Sequence, residues 1–201
     1  MLEILLASQS PRRRELLTAA GFEHRVFPVK VSEIIDENLN PQEVVSHLAT
    51  IKAEACIEQC KDLNLHDFLI LSGDTLVALG DQILGKPQNF SQACDFLRQL
   101  SGQTHSVISG LCLIETASSR RWSGFDTTRV RFKTLSETQI QDYVHSGEPM
   151  DKAGAYAIQG EGRKFVADYQ GSFSNVVGLP VELLEKALRE NNWKVKRVGV
   201  R

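Results

Sequence analysis

The chain has 201 residues, of which 42% are hydrophobic and 24% are charged. Disordered chains carry too few apolar residues to form a core, so this composition argues against intrinsic disorder. A chain of this length buries about 70% of its unfolded surface, so it needs neither a disulfide nor a metal ion to hold a core. The 23 basic and 25 acidic residues give a net charge of −2, which disfavours stable nucleic-acid binding. No apolar run reaches the roughly 20 residues that span a bilayer, so we expect no membrane partner.

The N-terminus and the cysteines both favour a cytoplasmic protein. The charged residues follow the apolar stretch Leu2–Ala7, whereas in a secretory signal they precede the apolar stretch. Two of the four cysteines have helical spacing, but no second pair and no cluster of histidines follows. We therefore expect reduced thiols rather than a zinc site. The cysteines are Cys56, Cys60, Cys94 and Cys112.

Apolar runs and amphipathic stretches alternate along the chain. Ser10 and Pro11 begin a first helix that Gly21 ends, and Asn40–Glu43 begins a long helix that continues to Cys60. The predicted strands and extended segments are Leu2–Ala7, Phe22–Val31, Phe68–Leu71, Thr75–Leu79, Gln82–Leu84, Ser106–Ile114, Arg121–Phe132, Lys164–Tyr169 and Trp193–Val200. The later helices are Ser91–Leu100, a helix from Ser136 to about Gly147, and Pro180–Glu190. Hairpins and crossovers both occur, so the sequence predicts an α/β fold with a mixed sheet.

The segment Ser8–Arg14 takes the chain from a strand into the N-terminus of a helix. Free backbone N–H groups and the positive end of the helix dipole make such a place an anion site. Arg12, Arg13 and Arg14 lie in the first turn, where each cation is unfavourable by roughly 0.3–1 kcal/mol. An anionic ligand would explain them. The alternative is three solvated arginines on an exposed helix face.

Four charged residues further along have the composition of a metal and phosphate site: Glu33, Lys52, Asp74 and Lys86. Asp74 follows the buried run Phe68–Leu71, and open α/β sheets place their chemistry at the carboxyl ends of such strands. Carboxylates hold hard divalent ions, and Lys and Arg side chains bind phosphate oxygens. Each residue alone also has an ordinary explanation. Lys52 could be a lysine that snorkels along an apolar helix face, Asp74 a turn aspartate and Lys86 a loop cation.

A third segment, Ser146–Gly160, combines small residues, charges and one aromatic residue, and it is too polar for a core. A surface loop with a short strand is the alternative. Together these segments resemble the Maf family of nucleoside triphosphate pyrophosphatases, over residue 2 to about residue 190. Each motif is weak alone, but their common order is specific. The motifs are Ser8–Arg13, Asp74-Thr75, Gly85-Lys86-Pro87, Leu100–His105, Gly147–Gly160 and Val177–Pro180.

The resemblance implies a fold and a reaction. The fold is a single domain over residues 1–201, similar to that of inosine triphosphatases: an elongated mixed β-sheet flanked by helices, with two lobes around a central cleft. The reaction splits the bond between the α- and β-phosphates of a nucleoside triphosphate, with a divalent cation, Mg²⁺ or Mn²⁺, as cofactor. Its products are a nucleoside monophosphate and pyrophosphate.

The resemblance also assigns roles to residues. The catalytic positions of the family correspond to Asp74, Glu33, Lys52 and Lys86, and Asp74 matches the proton acceptor. Glu33 and Asp74 are the candidate metal ligands, and Ser8 and Arg13 the candidate substrate-binding residues.

Three further positions separate the branches of the family by substrate. The dTTP/UTP branch has Arg, Thr and Gln where this chain has Arg12, Thr75 and Gln159. A branch resembling 7-methyl-GTP hydrolases has Trp, Gln and Glu instead. Many relatives have Asp where this chain has Ser32, and Ala where it has Gly73.

We therefore expect dTTP/UTP pyrophosphatase activity on a small-molecule nucleoside triphosphate, and the sequence leaves a homodimer open. One alternative is the same reaction on another or a modified nucleotide, such as 7-methyl-GTP. A second is a nucleotide-binding regulator of cell division. The intact carboxylates and lysines favour turnover, because a protein that only binds nucleotides need not retain them.

Overall fold

The computed structural model describes residues 1–32, 39–62 and 67–199, and the side chains of all of these except Lys61 and Asp62. The strands are β1 (Glu3–Leu6), β2 (His24–Val26), β3 (Phe68–Leu79), β4 (Gln82–Leu84), β5 (Thr104–Glu115), β6 (Arg121–Phe132) and β7 (Val166–Gln170). The helices are α1 (Pro11–Ala19), α2 (Pro41–Asp62), α3 (Phe90–Leu100), α4 (Glu137–His145), α5 (Phe173–Val177) and α6 (Val181–Glu190). No helix in these ranges is long and apolar enough to span a bilayer.

The strands form one mixed sheet in the order β2-β1-β3-β5-β6-β7, with β4 paired to β3. Strand β1 runs parallel to both β2 and β3, with Leu6 opposite Leu71, whereas β4 is antiparallel to β3 and β7 is antiparallel to β6. Helices lie between the parallel strands along the chain, and a hairpin joins β3 to β4. Between β6 and β7 the chain forms α4 and three short 3₁₀ turns. The predicted α/β class with a mixed sheet and flanking helices is confirmed.

The chain separates into two compact units, and each unit is assembled from several stretches of sequence. The first unit contains residues 1–74, 109–126 and 178–201, and the second contains residues 75–108 and 127–177. Strands β3, β5 and β6 therefore contribute residues to both units. Asp74 is the last residue of β3 in the first unit, and Thr75 is the first in the second.

In the first unit the sheet is buried on both faces. Ile4 and Leu6 pack in a cluster with residues of α1 and α6, whereas Leu5 and Ala7 pack in a second cluster with residues of α2. Alternate side chains of a strand point to opposite faces. A parallel strand covered by helices on both sides therefore appears as the continuous apolar run seen in β1.

The predicted helix starts are confirmed. The Ser10 side chain caps α1 and accepts a hydrogen bond from the backbone N–H of Arg13. At the start of α2, the N–H of Glu43 donates to the Asn40 side chain at 3.0 Å, and the N–H of Asn40 donates to the Glu43 carboxylate at 2.9 Å. The predicted capping box of Ser136 is present in α4.

Several strand predictions were wrong in their extent. Phe68–Leu71 and Thr75–Leu79 are parts of one strand, β3, because Ser72, Gly73 and Asp74 continue the extended backbone. Phe22–Val31 is a strand only at His24–Val26. The C-terminal segment makes isolated bridges rather than the predicted strand: Val195 pairs with Leu2, and Arg197 pairs with Phe22.

Candidate active site

Hydrogen bonds to Ser8 and Gly178 hold Arg13 at the start of α1. Its Nη1 donates to Ser8 Oγ at 3.1 Å, and its Nε donates to the carbonyl oxygen of Gly178 at 2.9 Å. Ser8 is buried and follows β1, and its hydroxyl also accepts from the N–H of Ser10. The guanidinium therefore donates to fixed oxygen atoms, which offsets the unfavourable position of a cation in the first turn. Arg12, the residue before Arg13, is half-buried.

Lys52 and Asp74 form an ion pair. Lys52 Nζ lies 2.6 Å from Asp74 Oδ1, and the two side chains are 13% and 16% exposed. The first residue belongs to α2 and the second to β3. Lys52 is therefore not the snorkelling lysine that its helical position would allow, because its ammonium group orients a carboxylate. Strand β3 continues past Asp74, so this carboxylate lies within a strand rather than at the end of one.

The packing of α2 against the sheet sets the position of this pair. The buried Ser72 hydroxyl donates to the carbonyl oxygen of Ala49 at 2.5 Å, which ties β3 to α2. A Cβ on Gly110 would lie 2.4 Å from the carbonyl oxygen of Val45, so the backbones of β5 and α2 are in contact there. The sequence signal for this contact was a glycine within the apolar strand Ser106–Ile114.

Gly73 brings Arg13 close to the backbone next to Asp74. A Cβ on Gly73 would lie 3.6 Å from Arg13 Nε and 3.0 Å from the carbonyl oxygen of Gly110. The first unit therefore gathers the predicted Ser8, Arg13, Lys52 and Asp74 on adjacent elements. Two cations, a hydroxyl group and a carboxylate in this arrangement can bind phosphate oxygens and accept a proton.

The other described candidates belong to the second unit. Lys86 is exposed and follows β4, and the preceding carbonyl oxygen, of Gly85, accepts a hydrogen bond from the N–H of Gly154 at 3.1 Å. A Cβ on Gly154 would lie 2.9 Å from Val77 side-chain atoms, so only glycine fits there. Gln159 is exposed, and Thr75 is half-buried.

Ser146–Gly160 contains two short 3₁₀ turns and no strand. These turns are Glu148–Asp151 and Ala153–Ala155, and a third, Glu161–Phe165, follows. Gly154 and Gly160 both have positive φ angles, which lets the chain reverse direction within a few residues.

Of the two predicted metal ligands, the structure describes Asp74. Glu33 lies outside the described residues. Among the residues that are described, no three His, Cys, Asp or Glu side chains cluster as metal ligands. Mg²⁺ commonly binds one or two carboxylates together with substrate phosphates and water. Asp74 fits that mode as a single carboxylate ligand, because the phosphates would supply further oxygens.

His105 is a core residue of the second unit. Its Nε2 lies 2.8 Å from the Tyr156 hydroxyl, and its ring contacts Phe132 edge-on with centroids 4.9 Å apart. Burial lowers the pKa of His105 to about 4, so the ring is neutral near pH 7. The sequence marked this histidine only as part of the motif Leu100–His105, which did not indicate its burial.

The chain belongs to the Maf family: a family model described as "Maf-like protein" matches residues 3–191. A protein of Bdellovibrio bacteriovorus named dTTP/UTP pyrophosphatase is 44% identical over 185 residues, covering 92% of this chain and 96% of its own length. A protein of the same name from Pelotomaculum thermopropionicum is 42% identical over 195 residues, covering 97% of this chain and all of its own.

A solved structure shares the fold. The Staphylococcus aureus Ham1 protein superposes with a TM-score of 0.51 at 14% identity, covering 94% of this chain and 99% of its own. This likeness concerns the fold alone.

Proposed function

We propose that this chain hydrolyses dTTP and UTP to the nucleoside monophosphate and pyrophosphate. The observation that carries the proposal is the Lys52–Asp74 ion pair, in the same unit as the hydrogen-bonded Arg13. The names of the Maf relatives support the choice of reaction. Arg12, Thr75 and Gln159, the residue types of the dTTP/UTP branch, support the choice of base.

The chemistry requires charge neutralisation and a base. Arg13 and Lys52 bind phosphate oxygens, and Lys86 supplies a third cation for the highly charged triphosphate. Asp74 accepts a proton from the water molecule that attacks the α-phosphorus, and Lys52 orients the carboxylate for that transfer. The bond from this phosphorus to the bridging oxygen breaks, and pyrophosphate leaves with the electron pair.

We propose Mg²⁺ or Mn²⁺ as the cofactor, with Asp74 and Glu33 as its protein ligands. A bound divalent ion neutralises phosphate charge and lowers the pKa of a coordinated water molecule. Asp74, whose carboxylate lies 2.6 Å from the Lys52 ammonium group, is thus assigned both to accept the proton and to bind the ion. EDTA is expected to abolish activity, and added Mg²⁺ or Mn²⁺ to restore it.

Base recognition is assigned to Gln159, with Thr75 and Arg12 as further polar groups. Thymine and uracil present a carbonyl, an N3–H donor and a second carbonyl. A glutamine amide can accept from the N3–H group and donate to a carbonyl. Cytosine has an acceptor at N3, so the same amide would face it acceptor to acceptor. Polar groups that substrate binding would bury without partners discriminate strongly between substrates.

The test is a product assay on dTTP, UTP, CTP and 7-methyl-GTP. We expect dTMP and pyrophosphate from dTTP, and UMP and pyrophosphate from UTP. Formation of dTDP and orthophosphate would contradict the reaction. Faster turnover of 7-methyl-GTP than of dTTP and UTP would place the chain in the branch that resembles 7-methyl-GTP hydrolases. Tight binding without turnover would favour the regulatory alternative.

We also infer a cytoplasmic location, because the free thiols suit a reducing compartment. A free nucleotide is the inferred partner, since a protein with a net charge of −2 is not suited to stable binding of nucleic acid. The sequence leaves a homodimer open, and light scattering on the purified protein would measure the mass of the assembly.

A further inference from the structure

The carboxylate of Glu148 accepts three hydrogen bonds in the second unit. The Tyr143 hydroxyl donates to Oε1 at 2.9 Å, the backbone N–H of Gly162 donates to Oε1 at 3.3 Å, and the N–H of Glu161 donates to Oε2 at 3.1 Å. We propose that Glu148 is a positioning residue that holds the segment carrying Gln159, and thereby sets the preference for thymine and uracil. This inference rests on the proposed function.

Two glycines let the segment close onto the carboxylate. A Cβ on Gly160, whose φ is +128°, would lie 2.8 Å from both carboxylate oxygens of Glu148. A Cβ on Gly162 would lie 2.6 Å from the carbonyl oxygen of Ala157 and 2.7 Å from the Tyr143 hydroxyl. A side chain at Gly160 would displace either the segment or the Glu148 carboxylate, and one at Gly162 would force the segment away from the backbone of Ala157.

The Tyr143 hydroxyl also binds the backbone on the N-terminal side of Gln159. It accepts a hydrogen bond from the N–H of Ala157 at 3.1 Å while donating to Glu148. Tyr143 is buried, and burial raises its pKa, so the hydroxyl keeps the proton that it donates. Gln159 is therefore flanked by fixed backbone groups two residues before it, at Ala157, and two residues after it, at Glu161.

A carboxylate suits this place because it only accepts hydrogen bonds. Each of its oxygens faces an N–H or O–H group, and Gln at position 148 would replace one oxygen with an NH₂ group. That NH₂ group would face a donor, so at least one of the three hydrogen bonds would be lost. A small displacement of the segment would then misplace the Gln159 amide relative to the base edge, which is costly where recognition depends on orientation.

The experiment uses Glu148→Gln on the full chain. We expect the ratio of kcat/KM for dTTP to kcat/KM for CTP to fall at least about fivefold, with KM for dTTP changing more than kcat. We also expect faster amide hydrogen exchange in peptides covering residues 155–163. The matched control is Glu137→Gln, which removes an exposed carboxylate hydrogen-bonded to Arg98 in the same unit. In Glu137→Gln the ratio of kcat/KM for dTTP to kcat/KM for CTP should stay within twofold of the wild-type ratio.

A double-mutant cycle separates positioning from a general effect. If Glu148 acts through Gln159, Glu148→Gln lowers the nucleotide ratio no further in a Gln159→Ala background. An equal loss of kcat/KM on dTTP and CTP would overturn the proposal, and so would an unchanged ratio or additive effects in the cycle. If Glu148→Gln does not fold, Tyr143→Phe decides by the same measurements, because it removes the hydroxyl that links Glu148 to Ala157.

Failure of the proposed function gives a different result. If the wild-type protein released no pyrophosphate from dTTP, the proposed function would be refuted. Hydrogen exchange would then still report whether Glu148 holds residues 155–163, and wild-type exchange in the Glu148→Gln protein would overturn that hold as well.

Discussion

The buried His105 predicts an acid-sensitive second unit. Its imidazole is 2% exposed, and burial lowers its pKa from the ordinary 6.5 to about 4. Between these two pH values the unfolded chain binds a proton that the folded chain does not bind. The free energy of unfolding therefore falls as the pH falls through this range. The perturbation is His105→Gln, which removes the titration and places an amide nitrogen near the position of Nε2 that faces Tyr156.

The magnitude follows from the two pKa values. A difference of about 2.5 pKa units corresponds to about 3 kcal/mol, reached once the pH lies below about 4. At pH 5.5 the linkage gives about 1.4 kcal/mol. That pH is the better place to measure, because carboxylates with ordinary pKa values of about 4 have not yet been protonated there.

The assay is urea unfolding at pH 7.5 and pH 5.5, for wild type, for His105→Gln and for His47→Gln, an exposed histidine in the first unit. Both tryptophans lie in the first unit and all three tyrosines in the second. Tryptophan fluorescence and the near-UV circular dichroism of tyrosine therefore follow the two units separately. Between pH 7.5 and pH 5.5, the free energy of unfolding that the tyrosine signal reports should fall by about 1.4 kcal/mol less in His105→Gln than in wild type. Equal pH dependence in all three proteins would refute the reasoning.

Three further predictions concern the active site and its support. Asp74→Asn is expected to lower kcat for dTTP by about 10²–10⁴-fold, the usual contribution of a general base. The control is Asp81→Asn, at an exposed turn residue, which should leave kcat unchanged. A loss of kcat within threefold for Asp74→Asn would make Asp74 a structural residue. Gly110→Ala forces a Cβ to within 2.4 Å of a backbone carbonyl oxygen and should destabilise the protein by about 1–3 kcal/mol or more in urea unfolding. Gly85→Ala, where no atom lies within 4 Å of the added Cβ, is the matched control, and equal stability of the two variants would contradict the contact. Gln159→Glu should lower kcat/KM for dTTP and UTP at least about tenfold, or 1.4 kcal/mol, and lower that for 7-methyl-GTP less or raise it. An equal loss on dTTP, UTP, CTP and 7-methyl-GTP would mean that Gln159 does not read the base.

Local signals in the sequence predicted the helices well because each helix start is encoded by adjacent residues. Ser10 with Pro11 and Asn40 with Glu43 form their caps within four residues, and the structure retains both. The continuity of β3 was missed because Gly73 and Asp74 have low strand propensity, while pairing and packing with neighbouring elements hold them in an extended backbone. The C-terminal segment has an alternating pattern, but the structure gives it only isolated bridges.

Within the site, the residue types could be predicted but not their partners. The ion pair of Lys52 and Asp74 joins residues 22 positions apart, and its formation depends on how α2 packs over Gly110. The sequence marked Glu148 only as part of the motif Gly147–Gly160, because two of its three partners are the backbone N–H groups of residues 161 and 162, and the third is the Tyr143 hydroxyl. Residues that bind backbone groups leave little compositional signal.

Strand β3 places the proposed base, Asp74, next to Thr75, a residue proposed to distinguish nucleotides. Successive side chains of a strand point in opposite directions, so inserting or deleting one residue upstream would exchange the faces of all that follow. This strand therefore cannot diversify by changing length, as a surface loop can. An enzyme with this architecture would acquire a new nucleotide preference by point substitution at residue 75 and in the turns around residue 159. Protein engineers should accordingly randomise side chains at these places and leave the length of β3 unchanged.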